Sequence, residues 1–139
     1  MRTRYWKAVL ATVLATVLVV GVAIPTLAQT VIDIAAVPGV TAPVLGASPV
    51  AAITETAQYT GAVVWAPTDD PFLGAQVYTA TITLTAKAGY TLPGVAEDFF
   101  TVAGVTTDTN PASSGVITAV FPATAAAVID IAAVPGVTA

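Results

Sequence analysis

Cysteine and histidine are both missing from the 139 residues, and each absence removes a class of chemistry. Without cysteine there are no disulfides, no thiol nucleophile and no thiolate metal site. Without histidine there is no imidazole ligand, and the usual general base at neutral pH is gone. Positive charge is scarce too: four Lys and Arg face eight Asp and Glu, and Arg2, Arg4 and Lys7 all lie at the extreme N-terminus. Beyond them Lys87 alone faces the eight acids, a net charge of about −7. Nucleic acid is therefore not expected as a partner, because neutralising a phosphate backbone takes clustered Lys and Arg. The acids are scattered, so their charge serves solubility more than a docking face. Straight-chain helix formers are also few after the N-terminus, while Gly and Pro recur every few residues, which leaves little support for helix.

What is present begins with an export signal. Arg2, Arg4 and Lys7 precede an uncharged apolar run from Ala8 to Ile24, closed by Pro25 and the small-residue site Thr26-Leu27-Ala28. Residues 1–28 read as a secretory signal peptide, helical in its apolar part and cleaved near Ala28. An uncleaved membrane anchor is the alternative, and either one places the remainder outside the cytoplasm, secreted or at the cell surface. The mature chain must be stabilised by apolar burial, and about 110 residues suffice for one modest core.

Along that chain the strongest signal is strand alternation. In "QVYTATITLTAKAGYTL" Tyr78, Ala80, Ile82, Leu84 and Ala86 form a core-facing set, while Val77, Thr79, Thr81, Thr83 and Thr85 form a face that can meet water. β-branched threonines favour the extended backbone even when exposed, the division expected of an antiparallel sheet covered on one side. In "QYTGAVVW" Tyr59, Gly61, Val63 and Trp65 share a face, with Trp65 large enough to act as a central core plug. "GVITAVFPAT" sets Ile117, Ala119 and Phe121 against Val116, Thr118 and Val120, and Pro122 stops the pairing. Shorter strands are expected around Phe99 to Val102 and, in pieces, from Val50 to Thr56. "APTDDPFLG", "KAGY", "LPG" and "TTDTNPASSG" read as turns. Short strands at even spacing with no βαβ alternation predict an all-β fold, a small antiparallel β-sandwich over residues 43–125. A closed barrel is the structural alternative.

One string occurs twice. "VIDIAAVPGVTA" fills residues 31–42 and again residues 128–139, an offset of 97 that matches one sandwich plus its connector. Residues 29–42 are expected to be a leader or linker segment, and residues 126–139 a linker and the start of a second, incomplete repeat copy. The second copy, β-prone and nearly uncharged, is also a candidate for strand donation to a sheet edge of another molecule.

"YTGAVVWAPTDDPFLGAQVYTATITLTAKAGYTLPGVAEDFFTVAGV" followed by "SSGVITAVFPAT" resembles the immunoglobulin-like repeat found in tandem in large bacterial surface proteins, often together with S-layer homology modules. The resemblance covers about residues 43–125. It implies an immunoglobulin-like sandwich used as a spacer or display module without catalytic activity, with neighbouring repeats or other cell-envelope components as partners. It places Trp65, Tyr78, Ile82, Leu84, Tyr90, Phe99, Phe100, Val102 and Phe121 at structural positions and brings no functional residue. An adhesin-type module, binding glycan or protein through loops at one end, is the alternative function.

Residues able to carry chemistry are few. Asp69-Asp70 and Glu97-Asp98 are paired acids, but a glycosidase needs two carboxylates facing each other across a cleft, and adjacent residues in turns serve backbone hydrogen bonding instead. Asp69, Asp70, Asp108 and Asn110 are oxygen-rich loop positions suited to calcium, yet their spacing matches no EF-hand. Ser48, Ser113 and Ser114 have no base to activate them. Lys87 reads as a solvated charge beside a hairpin turn. Among the aromatics that could stack on a sugar, Trp65, Tyr59 and Tyr78 fall on inner faces, while Tyr90 follows a turn glycine. No catalytic, cofactor-binding or metal residue is assigned, and no enzyme activity is expected.

Overall fold

The computed structural model describes residues 27–128. The expected signal helix falls outside them, with only Leu27 and Ala28 of the signal peptide described, and nearly all of the second repeat copy falls outside them too. The described chain is all-β, with strands β1 (Thr30–Val31), β2 (Ala36–Val37), β3 (Tyr59–Ala66), β4 (Thr79–Ala86), β5 (Tyr90–Thr91), β6 (Thr101–Val102), β7 (Thr107–Thr109) and β8 (Val116–Val120). Among these residues no helix is long and apolar enough to cross a membrane.

Four strands form one antiparallel sheet in the order β3-β4-β8-β7. The period-2 alternation builds it: Ile82 lies opposite Val63 on one side and Ile117 on the other, and Ala80 opposite Trp65 and Ala119. All six are buried, whereas Thr81, Thr83 and Thr118 on the opposite face are exposed. Gly61 stands opposite Leu84 in register, and Gly115 accepts the Leu84 amide through its carbonyl at 2.8 Å. A Cβ on Gly61 would meet the buried Leu84 side chain at 2.9 Å, and one on Gly115 would meet the Leu92 side chain at 2.7 Å and the Leu84 carbonyl at 2.9 Å, so neither position has room for a side chain.

Segments between Val50 and Thr56 do not make a full strand. They border the β3 edge through one bridge, Ala52 opposite Ala62, and through Ile53 N–H to the Gly61 carbonyl at 3.1 Å and Val63 N–H to the Ala51 carbonyl at 2.9 Å. A sheet edge is thereby covered within the chain.

The main departure from expectation is the first copy of the repeat, which is part of the folded unit and no leader ahead of it. β1 pairs in parallel with β5, Thr30 opposite Tyr90, and β2 pairs in parallel with β6, Val37 opposite Val102. Ile32, Val37 and Val40 are all buried in the core, each contributing roughly 1.5–3 kcal/mol of transfer free energy. The compact unit therefore starts near Thr30, ahead of the expected boundary at residue 43. The physical reason is that the inner face of β3 and β4 needs a cover, and the aliphatic side chains of "VIDIAAVPGV" supply part of it.

An aromatic cluster closes the other part of the core. Trp65 packs edge-on against Phe72 at 5.1 Å and tilted against Phe121 at 5.3 Å, and Phe72 meets Tyr78 at 4.6 Å. Phe72 lies in the turn string "APTDDPFLG" yet is buried. The Trp65 indole N–H donates to the Val50 carbonyl at 2.8 Å, so the core plug is satisfied at its polar end.

Candidate functional site

The richest polar constellation in the described residues surrounds the first copy of the repeat. Gln58, only 7% exposed, sits just before β3 and reaches across to that segment. Its side-chain oxygen accepts the amides of Asp33 and Ile34 at 2.9 and 3.0 Å, and its side-chain nitrogen donates to the Asp33 carboxylate. Asp33 is the one charged residue of the twelve-residue string, and here it is one half of a reciprocal clamp. Next to it the Tyr59 hydroxyl donates to the Ala36 carbonyl at 2.7 Å, and the Tyr59 ring packs edge-on against Phe100 at 5.8 Å. Burial pushes the Tyr59 hydroxyl up to about 12, so it donates at any physiological pH.

Further along the string, the Thr54 amide donates to the Pro38 carbonyl at 2.9 Å. Gly39 adopts φ +85°, and a Cβ there would meet the Thr54 nitrogen and Oγ1 at 2.4 Å. Only glycine fits, for conformation and space alike. The groove that takes the segment is thus formed by Gln58, Tyr59, Thr54 and the edges of β5 and β6.

The residues nominated for catalysis or metal binding are dispersed and engaged elsewhere. Asp69 accepts the Tyr78 hydroxyl at 2.8 Å, and the same Tyr78 oxygen accepts the Leu73 amide at 2.8 Å. The Tyr78 hydroxyl is raised above its ordinary value, chiefly by burial. Asp108 on β7 accepts the Val102 amide at 2.7 Å. Asp98 and Asn110 are brought together: the Asp98 carboxylate accepts the Asn110 amide at 3.1 Å, and the Asp98 amide donates to the Asn110 carbonyl at 2.9 Å. Asn110 is 1% exposed. Its side-chain oxygen accepts the Phe100 amide at 3.0 Å, and its nitrogen donates to the Ala96 and Pro111 carbonyls. Among the described residues no group of three or more acids is placed to hold a metal ion.

Asp70, Glu97 and Ser48 are exposed. Ser113 and Ser114 accept the Gly94 and Val116 amides, at 3.0 and 3.1 Å, as turn residues do. Lys87 pairs with Glu55 at 2.9 Å and donates to the Thr56 carbonyl at 2.7 Å. A surface depression of roughly 350 Å³ lies beside this pair, lined by Ala52, Ile53, Glu55, Thr60, Gly61, Ala62 and Thr85. Its only ionisable lining group is Glu55. Of the aromatics, Trp65, Tyr59 and Tyr78 are buried and Tyr90 is half-buried.

Gln58 was not singled out by the sequence, and neither was the groove. The available signal was the repeat itself, whose one charged residue, Asp33, is the group Gln58 engages. No protein family, curated protein or solved structure matches this chain.

Proposed function

We propose that this chain is a non-catalytic spacer module of an exported bacterial cell-surface protein, with an immunoglobulin-like β-sandwich as its fold. The observation that carries the reading is the use to which its functional side chains are put. Asp33, Asp69, Asp98, Asp108 and Asn110 each hold a loop or segment through a backbone or buried side-chain partner, which leaves them serving rigidity. A four-stranded antiparallel sheet with one apolar face, covered by segments that include β2 and β6, supports the sandwich. The basic N-terminus, apolar run and small-residue site support export, and the resemblance of residues 43–125 to tandem surface repeats supports the spacer role.

The test is expression of the full chain in a bacterial host, followed by fractionation and N-terminal sequencing. The expected product is outside the cytoplasm and begins near Gln29. Retention in the cytoplasm with Met1 in place overturns export. Saturable binding of the purified protein to an immobilised glycan panel overturns the spacer role in favour of the adhesin-type module.

A further inference from the structure

The groove around Gln58 has two possible occupants in the same polypeptide. Residues 128–139 repeat residues 31–42 without a change, so every side chain the first copy uses for docking has a counterpart: Ile129 for Ile32, Asp130 for Asp33, Val134 for Val37, Gly136 for Gly39 and Val137 for Val40. The backbone groups that pair with β5, β6, Thr54 and Tyr59 recur in the same order. Val128, the first residue of the second copy, is 93% exposed, while Val31 at the matching position is 40% exposed. The chain reaches Val128 past Gly74, where a Cβ would meet the Ala125 carbonyl and the Ala127 nitrogen at 2.9 Å.

We propose that the second copy is a donor segment for this groove in another molecule of the same chain, entering in parallel beside β5 and β6 when the receiver's own first copy is displaced. The exchange replaces one set of contacts with an identical set, so concentration decides it. A segment tethered to its own groove acts at an effective concentration on the order of millimolar. At micromolar protein the first copy therefore holds its seat by roughly a thousandfold, and the molecule is monomeric. Removing the competitor hands the groove to the second copy of a neighbour, and head-to-tail assemblies follow.

Three full-length variants test this: I32D/V37D in the first copy, I129D/V134D in the second, and all four changes together. Light scattering after size exclusion reports assembly, and Trp65 emission reports the core. The first variant is expected to keep a shielded Trp65 and to run as dimers or larger species that dissociate on dilution. The second is expected to be a folded monomer, and the fourfold variant to lose the shielded emission. A first-copy variant that is folded and monomeric at all concentrations, or that assembles equally well with its second copy broken, overturns the proposal.

Should I32D/V37D fail to fold at all, a trap in otherwise intact chains decides. Ala36 and Thr101 are opposite one another in the parallel pair, and the chain contains no cysteine. A Thr101→Cys chain mixed with an Ala133→Cys chain at hundreds of micromolar is expected to form a mixed disulfide at least tenfold faster than a Thr118→Cys chain mixed with the same partner. Equal rates overturn the proposal.

Discussion

Asn110 shows how much one side chain can organise. It is buried and bonded to three backbone groups, the Phe100 amide and the Ala96 and Pro111 carbonyls, so replacing it strands buried donors and acceptors. Asn110→Ala is expected to lower stability by about 2–3 kcal/mol, read as a shift in the urea midpoint at unchanged slope. The sequence marked Asn110 as an oxygen-rich loop position, which is correct chemistry with a different partner: backbone amides and carbonyls. Phe72 was hidden for a related reason, since an aromatic inside a Pro- and Asp-rich turn carries no periodicity to reveal its burial. The buried tyrosines give a pH dependence with a definite sign. Tyr59 is pushed up to about 12 by burial, and Tyr78 is raised by burial and by its bond to Asp69. In the unfolded chain both titrate near about 10. The native state thus holds these protons longer: the Tyr59 contribution is complete below about pH 10 and lost as pH rises through about 12, and that of Tyr78 has the same sign. Alkaline titration followed at 295 nm is expected to show Tyr59 and Tyr78 ionising only together with loss of the Trp65 shielding.

At the scale of elements, β3, β4 and β8 were legible because each alternates over several residues and one face is buried, which fixes the register. β1 and β2 were not. Each pairs over two residues only, in parallel, with partners about 60 residues away in sequence, and no local pattern specifies such a match. The entry segment is held as much by Gln58 as by its ladders. Gln58→Ala is expected to raise the exchange rates of the Asp33 and Ile34 amides by about 10- to 100-fold while amides of β4 and β8 change little. Equal acceleration in all strands would show that the clamp supports the whole unit and not the segment.

For the whole molecule, the position of the entry segment determines how it meets tension. A pull on the N-terminal side arrives first at β1 and β2, two-residue parallel pairs, whereas the C-terminal side is held by the Thr124 and Phe121 amides, which donate to the Gln76 and Tyr78 carbonyls at 2.9 Å, and then by β8, which is paired on both edges by β4 and β7. The entry segment is then a mechanical fuse, yielding before the four-stranded sheet does. Residues 30–40 have a contour of roughly 37 Å at about 3.4 Å each, and single-molecule stretching is expected to show, ahead of the main rupture, a first extension equal to that contour less the distance the folded segment already spans. Gln58→Ala should lower the force of that first step and leave the second unchanged. A molecule stretched past its fuse has an open groove until its sheet ruptures, so force itself converts a closed unit into one able to take up the second copy of its neighbour.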